Sequence, residues 1–190
     1  GRERSYDQRE VDRLEAKRAI AARASEEIRD GQVVCFDAGT TTTEVARAAP
    51  DSGYVGVTNM PELGLELTDR DVDVKLTGGT VRQRSHACVG PAAESFLDRR
   101  NFDILFLGTN GVTADTGLST PDEDEAAVKR TMVANARRVV LVADSSKFGE
   151  RSFVTVADPD EIDLFVTDET LPGELADAFA EADVVVTGGD

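Results

Sequence analysis

Residues 33–43 read VVCFDAGTTTT, and the architecture follows from how that stretch is punctuated. Val33, Val34, Cys35 and Phe36 form a short apolar run with β-branched residues, the composition of a strand covered on both faces. Asp37-Ala38-Gly39 interrupts it, and Thr40 to Thr43 then lead into Glu44 to Ala49, which reads as a helix. A strand, a tight loop and a helix start together present unpaired backbone N–H groups and the positive end of a helix dipole. Gly39 is expected to turn the backbone through positive φ, and Thr40, Thr41, Thr42 and Thr43 to add hydroxyls. Such a corner binds anions, most often phosphate. A threonine that only caps the helix explains the same letters, so the motif must be weighed with its surroundings.

Outward from this corner, β-rich and helical stretches alternate with short Gly, Pro or Asp punctuation. Strands are expected at 32–37, 54–58, 72–77, 103–108, 139–143, 163–167 and 184–187, and helices at 42–49, 61–69, 91–99, 123–138 and 172–182. That order predicts an α/β fold in three αβα layers around a mostly parallel sheet. Ligands of such sheets sit beyond the carboxyl ends of the strands. The residues there are Asp37 to Thr42, Thr58-Asn59, Gly78-Gly79 followed by Arg82, Gly108-Thr109-Asn110-Gly111, and Asp144 to Lys147. Five loops of glycine, short polar residues and charges at one edge describe a site for a small polar ligand.

The helix after Pro121 carries Glu125, Lys129, Met132 and Ala136 on one face, whose later half is apolar and must look inward. Glu125 and Lys129 are therefore expected to face the pocket, although a surface i, i+4 pair has the same spacing. Lys147 is one of only four lysines beside 17 arginines, which suggests a need for a compact ammonium, as in phosphate pairing. His86 is the single histidine and is read as an ordinary loop residue rather than a metal ligand. No metal or other cofactor is expected. Cys35 and Cys88 read as small core residues rather than a disulfide. The stretch after the first strand lacks the second and third glycines of G-x-G-x-x-G, and no G-x-x-x-x-G-K-[ST] occurs, which disfavours dinucleotides and nucleoside triphosphates.

The 190 residues suffice for one domain with a sizeable core. Net charge is −16, from 37 acidic and 21 basic residues. An acidic, lysine-poor surface suits a salty cytoplasm, where screening removes self-repulsion, and it points to a halophile. It argues against direct nucleic-acid binding by this stretch of chain. With no apolar run near the roughly 20 residues that cross a bilayer, a cytoplasmic protein without membrane contact is expected.

Residues 1–30 hold eight basic and eight acidic groups, so the whole imbalance belongs to residues 31–190. The first part is read as a linker and a helix from about Val11 to Arg29, with Val11, Leu14, Ala21, Ala24 and Ile28 as its apolar stripe. Its first third is expected to project as a linker or to pack on a partner, and the stripe to require at least a homodimer.

Taken together, DAGTTTTEVA, LTGGTVR, VGPAAESFL, FDILFLGTNGV, GLSTPDEDEAAVKRTM and VVLVADSSKFG resemble, in order and over nearly the whole chain, the C-terminal effector-binding domain of DeoR-family transcriptional regulators. The TNG and STPDEDEAAVKR forms are most similar to the GlpR or FruR type, which controls glycerol or fructose metabolism. The resemblance implies a fold like that of ribose-5-phosphate isomerase and glucosamine-6-phosphate deaminase. It further implies a phosphorylated sugar as effector, with fructose 1-phosphate as the candidate, Gly39 to Thr43 cradling the phosphate and Lys147 assisting. Asp37, Asn59, Gly79, Arg82, Asn110, Gly111, Glu125 and Lys129 complete the expected ligand site. Asn110 stands where the isomerases have aspartate, and a neutral amide is no general base, which favours a sensor over the alternative, a sugar-phosphate isomerase or deaminase. The family's DNA-reading winged helix-turn-helix has no counterpart in these residues, so DNA contact is expected only through a domain absent from this chain.

Overall fold

A computed structural model describes residues 3–11 and 13–188. Seven parallel strands form the central sheet: β1 (Val33–Phe36), β2 (Ser52–Thr58), β3 (Asp71–Leu76), β6 (Ile104–Leu107), β9 (Val139–Val142), β11 (Leu164–Thr167) and β12 (Asp183–Val186). The spatial order is β12-β11-β9-β6-β1-β2-β3. All four residues of β6, β9 and β11 are buried, as expected of strands with helices on both faces. Phe36 pairs in register with Phe106, and their rings stack with centroids 5.6 Å apart, which fixes β1 beside β6 at the middle of the core.

The chain builds outward from β1 to β3, then returns to β6 and builds the other way. The order therefore reverses between β1 and β6, and the crevice above that reversal is where such a sheet can hold a ligand. The helices α3 (Thr40–Ala48), α4 (Pro61–Thr68), α5 (Pro91–Asp98), α6 (Glu123–Asn135) and α7 (Gly173–Ala178) correspond to the expected ones, with ends moved by up to a few residues. Among the described residues no helix is long and apolar enough to cross a membrane.

Two features depart from the sequence reading. A second sheet, antiparallel, is made of β7 (Gly111–Thr113), β8 (Gly117–Thr120) and β10 (Val154–Ala157), and a two-stranded ribbon of β4 (Thr80–Val81) and β5 (Cys88–Val89) lies beside the main sheet. These strands are two to four residues long, too short to show a period. The N-terminal region is also two helices, α1 (Tyr6–Val11) and α2 (Leu14–Ser25), broken where Arg13 adopts left-handed backbone, φ 55°. In α2, Ile20, Ala21 and Ala24 are fully buried and the helix packs along α3; beyond it Ile28 is buried as well. The first third does not project, because Tyr6 is itself buried and stacks on His86 with centroids 4.8 Å apart.

Candidate functional site

The helix α3 starts at the floor of the crevice. No side chain caps it, so the amides of Thr40, Thr41 and Thr42 lack intrahelical acceptors. Gly39, which precedes the helix, is extended (φ 160°, ψ 172°) and not in the positive-φ turn expected from the sequence. What the position needs is room: a Cβ there would come within 3.2 Å of the Thr42 hydroxyl oxygen.

The loop is clamped from below. Asp37, 1% exposed, accepts the Gly108 amide at 3.0 Å and the Lys129 ammonium, and Lys129 also donates to the Gly108 carbonyl at 3.1 Å. This ties the end of β1 to the end of β6. Asn59 accepts the Ala38 amide at 3.1 Å and donates to the Cys88 carbonyl at 3.1 Å, tying the same loop to β5.

Above the loop a narrow cleft is lined by Gly39, Thr40, Thr41, Thr42, Asn110, Glu125, Lys129 and Lys147, drawn from α3, the β6–β7 connection, α6 and the turn after β9. Asn110 lies where β6 hands over to β7, its Oδ1 accepting the Thr120 hydroxyl at 3.2 Å. Glu125 and Lys129 face inward together but do not pair with each other. Glu125 accepts from Arg82 at 2.7 Å, and Lys129 turns to Asp37. Burial holds the Glu125 carboxyl above the usual carboxylate range despite the nearby cations Lys129 and Arg82.

Six expected ligand residues do other work. Asp37 and Asn59 brace the loop from beneath it. Thr43 donates to the Gly39 carbonyl at 2.6 Å and lies against the Met60 sulfur, turned into the core. Gly111 lies where β7 passes the backbone of Glu150, whose carbonyl oxygen would be 2.1 Å from an added Cβ. Gly79 is an exposed turn residue after β3, not a cleft residue. Arg82 lines neither cavity; it joins Glu125, Glu3 and Asp122 into one ionic cluster, which holds the Glu3 carboxyl below its usual range.

The cleft opens into a cavity of about 710 Å³, which Arg4, Arg9, Arg13, Lys17, Lys147 and Arg151 line together with Glu3, Asp144 and Glu150. Six cations against three carboxylates is the reverse of the whole molecule's charge. Arg4, Arg9, Arg13, Lys17 and Arg151 went unnamed in the sequence reading. The signal for the first four was present, because the 16 charged groups of residues 1–30 balance in a chain that is otherwise strongly acidic. Among the described residues no cluster of His, Cys, Asp and Glu could hold a metal ion.

This geometry defines a parallel α/β sensor-type domain with a cationic crevice at its switch point. The family model of the DeoR C terminal sensor domain matches residues 12–169, and the chain belongs to that family. It is 58% identical over 190 residues to the HTH-type transcriptional regulator GlpR of Haloferax volcanii, covering all of this chain and 74% of that protein. The putative aga operon transcriptional repressor of Escherichia coli O157:H7 is 36% identical over 90% of this chain and 64% of its own length. The glycerol-3-phosphate regulon repressor of Escherichia coli K12 is 30% identical, over 88% of this chain and 67% of that one. The fold is similar to ribose 5-phosphate isomerase A of Methanocaldococcus jannaschii (TM-score 0.52, 18% identity, 71% of this chain and 54% of that one). It is also similar to a chain of the tetrameric eIF2B-beta2-delta2 complex of C. thermophilum (TM-score 0.56, 16% identity, 88% and 60%).

Proposed function

We propose that this chain is the effector-sensing part of a transcriptional repressor of sugar or glycerol metabolism, and that its effector is a phosphorylated sugar. The observation that carries this reading is the uncapped start of α3 in a cation-lined crevice, on a molecule whose net charge is −16. A phosphate fits three helix-start amides with the Lys147 ammonium beside them, whereas a neutral sugar alone offers those amides no anionic acceptor. Asn110 and Glu125 then face the sugar hydroxyls. Fructose 1-phosphate is the first candidate, on the family resemblance of the TNG and STPDEDEAAVKR forms alone. Control of DNA would pass through a helix-turn-helix domain of the kind for which the GlpR relative is named.

Titration calorimetry tests the assignment. Fructose 1-phosphate should bind and fructose should not, and Lys147→Ala should weaken binding by about tenfold to a hundredfold, the cost of losing one charge-assisted bond to phosphate. Equal affinity for fructose and its phosphate would overturn it. Glu125 supports a second reading, because a buried carboxyl held protonated to higher pH is also how isomerases prepare a base. Turnover of fructose 6-phosphate, ribose 5-phosphate or glucosamine 6-phosphate at an enzyme-like rate would establish that reading instead.

A further inference from the structure

Arg9 belongs to α1, ahead of the residues the family model covers, yet it lines both the cleft at the start of α3 and the larger cavity above it. Its Nε atom is shielded from solvent and has no hydrogen-bond acceptor among the described residues. A guanidinium N–H withdrawn from water without an acceptor is costly, and a phosphate oxygen is the acceptor whose geometry suits it.

The placement of Arg9 is held from several directions. Tyr6 is buried, stacks on His86 and donates its amide to the Arg84 carbonyl at 3.1 Å. The Lys17 ammonium donates to the Arg9 carbonyl, bracing the end of α1 against α2. Between the two helices Arg13 occupies left-handed backbone, which is disfavoured for a non-glycine residue. The Arg13 guanidinium pairs with Asp144 and Asp168, at the ends of β9 and β11. The joint that aims Arg9 at the crevice is thus fastened to the same strand ends that form it.

We infer that Arg9 contacts the anionic group of the ligand directly, so that the helix preceding the sensor domain supplies one wall of the binding site. This rests on the phosphosugar reading above. Its consequence is a physical route from ligand to chain: an anion that bonds Arg9 stabilises the docked position of α1, and by linkage anything that displaces α1 lowers affinity by the same factor.

The test compares wild type, Arg9→Ala and Arg9→Lys, with fructose 1-phosphate and inorganic phosphate as probes and fructose as the neutral control. Calorimetry gives affinities, and hydrogen exchange follows the amides of residues 6–11. Arg9→Ala should weaken fructose 1-phosphate by about tenfold or more with an unchanged thermal melt, Arg9→Lys should fall between, and ligand should slow exchange in α1 of the wild type but not of Arg9→Ala. If the wild type binds fructose 1-phosphate and Arg9→Ala binds it within about twofold, less than half a kcal/mol, the Arg9 contact is overturned and the phosphosugar reading stands. Unchanged exchange in α1 of the saturated wild type would overturn it equally. If the wild type binds none of the phosphates, the phosphosugar reading itself fails and the contact fails with it.

Discussion

Lys129 and Asp37 are both withdrawn from water, with side-chain exposures of 6% and 2%, and each is satisfied by the other and by the Gly108 backbone. Removing one partner leaves an uncompensated buried charge, which costs about 3–5 kcal/mol, whereas removing both leaves none. Lys129→Met should therefore lower the free energy of unfolding in urea by that amount, and Lys129→Met with Asp37→Asn by less than the sum of the two single changes. Additive losses would show that the pair is not a unit. The inward direction of Lys129 was legible in the sequence, since Met132 and Ala136 share its face. Its partner was not, because spacing along a helix names neighbours on that helix and says nothing of a carboxylate at position 37. Glu125 illustrates the same limit, with Arg82 as its counter-ion rather than Lys129. As the carboxyl of Glu125 titrates above its usual value in the folded state, the folded chain takes up that proton first as pH falls. The charged form thus costs stability above the folded-state value, and the cost disappears below the unfolded one. Glu125→Gln is expected to be more stable than wild type at pH 7, with the difference in urea midpoint closing near pH 4; a gap that widens in acid would contradict the burial argument.

At the scale of elements, the apolar strands and periodic helices were readable because each spans enough residues to express its period. The antiparallel sheet of β7, β8 and β10 was not, since its strands are specified by contacts distant in sequence. Gly111 shows how: the backbone at Glu150 approaches so closely that no side chain fits at 111, which pins β7 against the segment leading to β10. Gly111→Ala must push these segments apart, and overpacking of this kind costs about 1–3 kcal/mol. A drop of that size in unfolding free energy is expected, together with weaker effector binding, because Glu150 and Arg151 line the cavity. A melt unchanged from wild type would mean that the approach is not tight. The N-terminal stripe was likewise half legible. Ala21, Ala24 and Ile28 are buried as an apolar face should be, but within this chain, and Val11 is left 70% exposed by the break at Arg13. The homodimer expected from that stripe loses its main support, since little of the stripe remains for a second subunit to cover.

For the whole molecule, the two charge distributions make opposite demands on salt. The chain carries −16 overall, so its folded state compresses like charges that an unfolded chain can spread apart. Screening acts over about 10 Å at 0.1 M salt and about 3 Å at 1 M, so raising potassium chloride across that range should remove most of the repulsion. The thermal midpoint is expected to rise steeply up to about molar salt and to flatten beyond it, where the screening length is already shorter than most charge separations. The crevice is the reverse case. Its cations outnumber its carboxylates two to one, and they attract a phosphate through the same field that salt weakens. Affinity for fructose 1-phosphate should therefore fall over the range in which stability rises, whereas potassium chloride should leave any weak binding of neutral fructose unaffected. Measuring the melt and the calorimetric affinity on the same salt series separates the two effects. A midpoint that does not move would remove the argument from net charge, and a phosphate affinity indifferent to salt would mean that the crevice holds its ligand by hydrogen bonds and shape rather than by its six cations.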